Sequence, residues 1–249
     1  MVPEEIPLDK NCQIIAVEEP GVYIIDKSHG VLSHPNERQK KESYQKTLLK
    51  ADYCMKREAY SWTSGEAEKH FYLCHRLDSA TSGIIIGCMD PLIAQFIKEA
   101  FSKRLIKKTY LAITRNNEKA KMGKWQDSLI EKRQDGKLRV AKGKGPLAIT
   151  IASRERWVRG QFNLQLLKLK PLTGRTHQLR YQCMARRMPI IGDKTYGDFS
   201  LNRMFSKKNK INRLCLHASE IEFEGKYKEK TFKIFAESPF PRQLGKIFP

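Results

Sequence analysis

The chain has 249 residues, enough for one large domain or two small ones with a buried core. Hydrophobic residues make up 40%, which excludes a largely disordered chain, and 47 lysines and arginines against 27 acids give a formal net charge of +20. Such an excess indicates a polyanionic partner, with nucleic acid as the first candidate and an anionic membrane as the second. The plain alternative is a basic, soluble protein without such a partner.

The sequence predicts a soluble protein of the cytoplasm. No apolar run approaches the ~20 residues of a transmembrane helix, and the acidic start "MVPEEIPLDK" is not a signal peptide. Six cysteines occur without a CxxC pair, which indicates free thiols in a reducing compartment. His70, Cys74 and His75, with Cys54 upstream, are metal-ligand types, but their spacing fits no zinc pattern, and we predict no metal site.

In chain order, the first half predicts strands at 13–17 and 22–26, then a loop at 28–36. A polar stretch at 36–47 follows, which we expect to be an exposed helix or loop. The apolar run 84–88 predicts a buried strand. Asp90 and Pro91 then mark a helix start. Apolar residues at helical spacing form one face of this helix: Ile93, Phe96, Ile97, Ala100 and Phe101.

The second half begins with a predicted strand at 107–113, followed by a hairpin and flexible loops over the Lys- and Gly-rich residues 115–146. The remaining predicted elements are strands at 147–153 and 162–169, a helix from Thr176 to Arg187, a basic loop at 206–213, and strands at 214–224 and 230–237. This order predicts an α+β fold with a mixed, mainly antiparallel β-sheet core and flanking helices and loops. We expect a single domain over 1–249, in which 1–12 form an N-terminal extension.

The stretch "HRLDSATSG" at 75–83 places Asp78 in a loop before a buried strand. Thr81, Ser82 and Gly83 predict a tight turn whose hydroxyls bond the local backbone. Such a turn can point a carboxylate into a cleft. The alternative is a loop aspartate that caps its own turn.

The stretch "PLTGRTHQLR" at 171–180 predicts a turn at Gly174 and an N-cap at Thr176. Arg175, His177, Gln178 and Arg180 would then surround a helix N-terminus, an arrangement typical of phosphate sites. The alternative is an exposed basic face. In "KKTYLAI", Tyr110 alone indicates no more than a strand residue in the core or at its rim.

Together these stretches closely resemble the RluA-type family of RNA pseudouridine synthases. The resemblance rests on four segments in matching order: "YIIDKSHGVLSHP", "HRLDSATSGIIIG", "KKTYLAI" and "PLTGRTHQLRYQCMARRMPIIGDKTYGD". It implies the pseudouridine synthase fold with a catalytic cleft across the sheet, and an enzyme that isomerises uridine in transfer or ribosomal RNA. Many relatives carry a small RNA-binding domain at the N-terminus, and we expect the catalytic domain alone here.

The resemblance also implies roles for single residues. Asp78 would be the catalytic carboxylate, Tyr110 would stack on the target uracil, and Arg180 would pair with Asp78. The residues implied in holding the RNA or lining the pocket are His75, Arg76, Thr81, Arg175, Thr176, His177, Gln178 and Leu179. The isomerisation involves no redox change, so no cofactor is expected. We further expect a monomer, with RNA contacts from the basic segments 36–47, 115–146 and 206–213.

Two other functions compete with this one. A non-catalytic RNA-binding protein of the same fold would share the charge but need not keep Asp78, Tyr110 and Arg180. A metal-dependent nuclease or hydrolase would need clustered carboxylates or a His/Cys set. No P-loop, GxGxxG or GxSxG motif is present.

Overall fold

A computed structural model describes residues 6–35, 46–134 and 137–248. The strands in these ranges are β1 (Cys12–Glu18), β2 (Val22–Lys27), β3 (Asp52–Cys54), β4 (Ala59–Ser64), β5 (Ala67–Leu73), β6 (Ser82–Cys88), β7 (Lys107–Arg115), β8 (Gly123–Gln134), β9 (Lys137–Val158), β10 (Leu164–Pro171), β11 (Leu216–Tyr227) and β12 (Lys230–Glu237). The helices are α1 (Pro91–Ser102), α2 (Gln178–Ala185), α3 (Phe199–Asn209) and α4 (Arg242–Gly245). No helix in these ranges is long and apolar enough to cross a bilayer.

The chain divides into two compact units. The first contains the described residues up to Ile106 together with Ile221–Ser238, and the second contains Lys107–Glu220 and the described residues from Pro239 onward. Most of the named strand pairs are antiparallel, with one parallel bridge between Leu32 and Thr47. The predicted α+β class with a mixed, mainly antiparallel sheet is therefore confirmed. The expected single domain over 1–249 stays a prediction.

The first unit is built on two apolar strands. Its strands follow the order β3, β4, β5, β6, and β2 pairs with both β6 and β1. Every residue of β6 is buried, and four consecutive residues of β2, from Val22 to Ile25, are buried as well. Continuous apolar runs of this kind form strands that are covered on both faces. The predicted buried strand after Asp78 is confirmed, although it begins at Ser82, inside the expected turn.

Helix α1 begins where the sequence predicts. The Asp90 side chain accepts hydrogen bonds from the backbone N–H groups of Leu92 (2.7 Å) and Ile93 (3.2 Å), and Pro91 occupies the first turn. Ile93 and Ile97 are buried in the core of the first unit, as the apolar periodicity indicates.

The second unit contains four antiparallel strands in the order β7, β10, β9, β8. The hairpin predicted within 115–146 is confirmed, because β8 and β9 pair as one long hairpin, but the described residues between Gly123 and Pro146 that we expected in flexible loops belong to these strands. Gly145 explains the error. A Cβ there would lie 1.9 Å from the Leu129 carbonyl oxygen, so this glycine allows two backbones to approach rather than giving a loop freedom. Residues 135 and 136, within the predicted loops, lie outside the described part.

Two further predictions need correction. The basic segment 206–213 is not only a loop, because helix α3 extends to Asn209. The start of α3 is capped by Asp198, whose carboxylate accepts a hydrogen bond from the Leu201 N–H at 2.9 Å. Strands β4 and β5 were not predicted, since their polar, exposed ends obscure the alternation. The polar stretch 36–47 lies outside the described residues up to position 45.

Packing at Gly87 gives a test of the first unit. A Cβ at this position would lie 2.2 Å from the Phe71 ring and 2.9 Å from the Tyr72 carbonyl oxygen. We expect Gly87→Ala to lower the free energy of unfolding by about 1–3 kcal/mol, because the core cannot hold the added methyl group without displacement. Gly245→Ala is the control, since nothing lies within 4 Å of its Cβ position. Equal urea midpoints for both variants would contradict the packing.

Candidate active site

The Asp78 turn connects β5 to β6 in the first unit. The turn is closed by a hydrogen bond from the Thr81 N–H to the Asp78 carbonyl, at 3.0 Å. Leu77, on one side of Asp78, is bound twice by the buried hydroxyl of Ser33: the Leu77 N–H donates to Ser33 Oγ (3.1 Å), and Ser33 Oγ donates to the Leu77 carbonyl (2.9 Å). The backbone before Asp78 is thus held by a residue far away in sequence.

The other side of Asp78 is also held. The Ser79 carbonyl accepts from the Gly30 N–H at 2.7 Å and from Lys27 Nζ at 3.3 Å. Lys27 is fully buried, and its ammonium also donates to the carbonyls of Val31 (2.8 Å) and Ser28 (3.1 Å). Three carbonyl acceptors match the three donors of an ammonium group, which offsets the cost of burying the charge. The loop that follows β2 is therefore fixed against the Asp78 turn, and the Asp78 side chain is half-buried there.

The other predicted residues of this stretch differ in exposure. His75 makes contacts within the first unit. Its Nε2 accepts a hydrogen bond from the Ile86 N–H at 3.1 Å, and its ring centroid lies 4.6 Å from that of Phe101. Thr81 is buried. Arg76 is exposed, and its Nη1 lies 3.0 Å from Nε2 of His34. Arg76 is thus the member of this set best placed to meet a polyanion.

The cysteines and histidines considered as metal ligands have other contacts. Cys74 and Cys88 are both buried, with their sulfur atoms 3.9 Å apart, and this contact together with burial raises the pKa of the Cys74 thiol. Among the residues that the structure describes, no group of three or more His, Cys, Asp or Glu side chains could hold a metal ion.

Tyr110 lies on β7 in the second unit, opposite Leu169 of β10, and is half-buried. Side chains alternate along a strand, so Lys108 and Tyr110 point to the same face of β7. Lys108 Nζ lies 3.7 Å from where a methyl group on Gly174 would stand, which places the amine beside the start of the 171–180 stretch. Burial lowers the pKa of Lys108. Lys108 was not predicted as a site residue, because in the sequence it is one of two lysines at the start of an ordinary strand.

The 171–180 stretch forms a turn that is held by Gln178. The Gln178 side chain is buried, and its Oε1 accepts from Thr173 Oγ1 (2.7 Å) and from the Arg175 N–H (3.1 Å). Its Nε2 donates to the Ile149 carbonyl and to Thr150 Oγ1, both at 2.9 Å. The Gln178 amide is therefore saturated by internal partners and supports the turn. The expected contact of Gln178 with RNA stays a prediction.

The predicted N-cap at Thr176 is wrong. Helix α2 begins at Gln178, and the N-cap position is His177, which adopts a left-handed conformation (φ 49°, ψ 18°) without a side-chain cap. The helix also ends at Ala185, two residues before the predicted Arg187. Arg175 is exposed, Thr176 and His177 are half-buried, and Leu179 is buried.

Arg180 forms a buried, bidentate ion pair with Asp193. Its Nε lies 2.7 Å from Asp193 Oδ2, and its Nη2 lies 2.9 Å from Oδ1. Burial opposes ionisation of Asp193, but the Arg180 guanidinium and the N–H groups of Thr195 and Tyr196 more than offset this and lower its pKa. Asp193 was missed because the sequence "PIIGD" indicated only the end of a helix.

Tyr196 completes this network. Its hydroxyl accepts from the Val140 N–H at 2.7 Å and lies 3.0 Å from His177 Nδ1, while the Arg180 guanidinium lies over its ring at 5.2 Å. A hydroxyl that accepts from a backbone N–H can donate its own proton to a neutral imidazole. Tyr196 thus connects the start of α2 to the β8–β9 hairpin and to Arg180.

The predicted residues therefore form two groups, one in each unit. His75, Arg76 and Thr81 lie with Asp78 in the first unit, and Arg175, His177 and Leu179 lie with Arg180 and Tyr110 in the second. The pairing of Asp78 with Arg180 joins residues of different units and stays a prediction.

Comparison with known proteins gives a family. The family model described as RNA pseudouridylate synthase matches residues 21–185, a range that includes Asp78, Tyr110 and Arg180. Ribosomal large subunit pseudouridine synthase D of Borreliella burgdorferi is 30% identical over 244 residues, covering 97% of this chain and 68% of that protein. A tRNA pseudouridine synthase C of Vibrio vulnificus is 30% identical over 180 residues, covering 68% of this chain and 73% of that protein.

Solved structures agree in fold. Human RNA pseudouridylate synthase domain containing 1 aligns with a TM-score of 0.64 at 22% identity, covering 100% of this chain and 91% of that one. A second human structure, RNA pseudouridylate synthase domain containing 4, gives 0.61 at 20% identity. The fold is that of a pseudouridine synthase. The chain therefore belongs to the RluA-type family of RNA pseudouridine synthases, isomerases that convert uridine in RNA to pseudouridine.

Proposed function

We propose that Asp78 is the carboxylate that acts on the target uridine. The reaction breaks the C1′–N1 glycosidic bond, turns the base and joins C1′ to C5; the proton lost from C5 is balanced by one gained at N1. An ionised carboxylate serves either as nucleophile at C1′ or as base at C2′, and both routes need the same fixed position. The observation that carries the proposal is the hydrogen bonding of the backbone on both sides of Asp78, which holds the backbone that carries this side chain in place before substrate arrives.

Arg180 is proposed as the cation that pairs with Asp78. A guanidinium is planar, so the two bonds to Asp193 also fix the direction of its third nitrogen, Nη1. Asp193 is in this account a positioning residue, which acts through Arg180. An arginine held in this way favours the ionised form of a neighbouring carboxylate.

Tyr110 is proposed to stack on the uracil after the nucleotide has left the RNA helix, with Leu179 lining the pocket. Extruding a base costs a few kcal/mol, roughly, and stacking on an aromatic ring returns on the order of 1–3 kcal/mol. Tyr110 is also the candidate that removes the proton from C5. Tyr110 is half-buried on a strand with neighbours on both edges, so part of this residue is accessible.

The RNA would be held by exposed cations near these residues. Arg76 and Arg175 are both exposed. Arg76 lies two residues before Asp78, and Arg175 lies in the turn that precedes Arg180. The reaction leaves the oxidation state unchanged, so the proposal needs no cofactor. We propose that the protein is a monomer and acts in the cytoplasm. We also propose that both units act as one domain, because the matched family model spans residues of both units.

The proposed substrates are ribosomal and transfer RNA. Relatives that match this chain are named for each class: one for the ribosomal large subunit and one for tRNA. The net charge of +20 suits either, because the cost of base extrusion can be met by contacts to flanking phosphates. Mapping pseudouridine in cells without the gene, and again after adding purified protein to their RNA, would identify the site.

The role of Asp78 is tested by Asp78→Asn. The amide keeps the shape but cannot act as nucleophile or base, so we expect pseudouridine formation to fall by about 10³-fold or more. The assay uses RNA extracted from cells that lack the gene, with pseudouridine measured by mass spectrometry.

The matched control for this variant is Asp52→Asn, which removes an exposed carboxylate of β3 in the same unit. Affinity for RNA should stay within about 3-fold for both variants, since neither removes a cation. If Asp78→Asn formed pseudouridine at the wild-type rate, the assignment of Asp78 would be wrong.

The positioning role of Asp193 is tested by Asp193→Asn. Loss of one partner of a buried ion pair should cost about 3–5 kcal/mol of stability, and the rate at saturating RNA should fall more than the affinity for RNA. Because the native pKa of Asp193 is lowered, its stabilisation is present above about pH 4 and is lost as the pH falls through the native value. The stability difference between wild type and variant should therefore shrink below about pH 4 in chemical denaturation.

A difference that stayed constant from pH 7 down to the acid transition would contradict this account of Asp193. Asp9→Asn offers a matched comparison: this carboxylate is also buried, and it accepts from the side chain and backbone of Asn11. Its replacement should leave the rate of pseudouridine formation at saturating RNA unchanged.

A further inference from the structure

A groove in the second unit lies between the end of α3 and the C-terminal helix α4. Its volume is about 470 Å³, and its polar lining consists of three cations and two amides: Lys210, Arg242, Lys246, Asn209 and Gln243. Among the residues that the structure describes, no acidic side chain lines it. None of the residues proposed above for catalysis or for the Asp78 and 171–180 turns takes part.

The three cations of this C-terminal groove carry no ion pair within the part of the chain that the structure describes. Other basic side chains do have acidic partners, for example Arg186 with Asp127 at 2.9 Å. Three like charges along one concave surface repel each other, and an anion that enters the groove removes this repulsion. The charge of the groove therefore fits a ligand with several negative groups.

The groove is built on fixed elements. Phe205 and Ile211 are buried on the α3 side, and Leu244 and Phe248 are buried on the α4 side. The Lys210 N–H donates to the Ser206 carbonyl at 2.9 Å, and the Lys246 N–H donates to the Arg242 carbonyl at 3.2 Å. The backbone that carries the cations is thus ordered before any ligand binds, which reduces the entropic cost of binding.

We propose that the C-terminal groove binds backbone phosphates of the RNA substrate. Its volume falls in the range of pockets for drug-sized ligands, well above what one inorganic anion needs, and the half-buried Ile247 in its lining can contact ribose. Arg203 and Lys207, exposed at i and i+4 on α3, extend the positive charge along the helix towards Lys210. The proposal rests on RNA being the partner, as in the proposed function.

The test compares two triple variants of the full chain. The first, K210A/R242A/K246A, removes the groove cations. The second, K10A/K56A/K226A, removes three exposed lysines of the first unit and changes the net charge equally. Binding is measured by fluorescence anisotropy over a series of KCl concentrations, first with unfractionated transfer RNA and then with ribosomal large-subunit RNA. All six side chains are exposed, so both variants should keep the wild-type thermal midpoint.

We expect the groove variant to bind RNA on the order of 10-fold more weakly at 0.15 M salt, with the slope of log Kd against log salt reduced by about 2. The control variant should change the slope by less than about 0.5. Equal slopes for the two variants, or no RNA binding by the wild type, would overturn the proposal. A groove variant that lost binding of inorganic pyrophosphate but bound RNA like the control would overturn it as well.

The result is separable from the proposed catalytic roles. RNA binding is measured without any reaction. If the groove variant binds RNA like the control but Asp78→Asn abolishes pseudouridine formation, the groove proposal is wrong and the catalytic assignment of Asp78 stands. If the groove binds RNA but Asp78→Asn stays active, the groove proposal stands and the catalytic assignment of Asp78 is wrong.

Discussion

The two hydrogen bonds between the Ser33 hydroxyl and the Leu77 backbone are the interaction on which the account depends. They join the loop after β2 to the turn that carries Asp78, and Lys27 strengthens the same junction from inside by binding the Ser79 carbonyl. A reacting carboxylate on a loop would otherwise sample many orientations. Here the backbone on both sides of Asp78 is bonded either to β2 or to the loop that follows it, so the entropy of fixing this backbone is lost during folding.

The second unit uses the same principle with side-chain networks. Gln178 satisfies its whole amide with internal partners, and Arg180 is oriented by Asp193. A buried polar network is costly when one member lacks a partner and rigid when all are satisfied. These groups therefore support α2 and fix the direction of the Arg180 guanidinium. The exposed cations, including those of the C-terminal groove, are proposed to provide affinity for a polyanion without such fixed positions.

Local signals predicted the elements that depend on local chemistry. Asp90 caps α1 as expected because its carboxylate bonds the N–H groups of the next turn. The start of α2 could not be predicted, because Gln178 is held by Thr150 and Thr173 through contacts fixed only in the folded chain. Asp193 was missed for the same reason: its partner Arg180 is distant in sequence, and nothing local distinguishes this aspartate from a turn residue. Motif order, by contrast, was enough to identify the family.

The most direct test of the central claim is the rate of pseudouridine formation by Ser33→Ala at saturating RNA. We predict a rate about 10-fold or more below wild type at nearly unchanged RNA affinity. The Asp78 turn loses its two hydrogen bonds to Ser33, but no cation is removed. Ser33→Thr, which keeps the hydroxyl, should recover most of the rate. A Ser33→Ala protein that is folded and reacts as fast as wild type would contradict the claim that the Ser33 hydrogen bonds position the Asp78 carboxylate for the reaction.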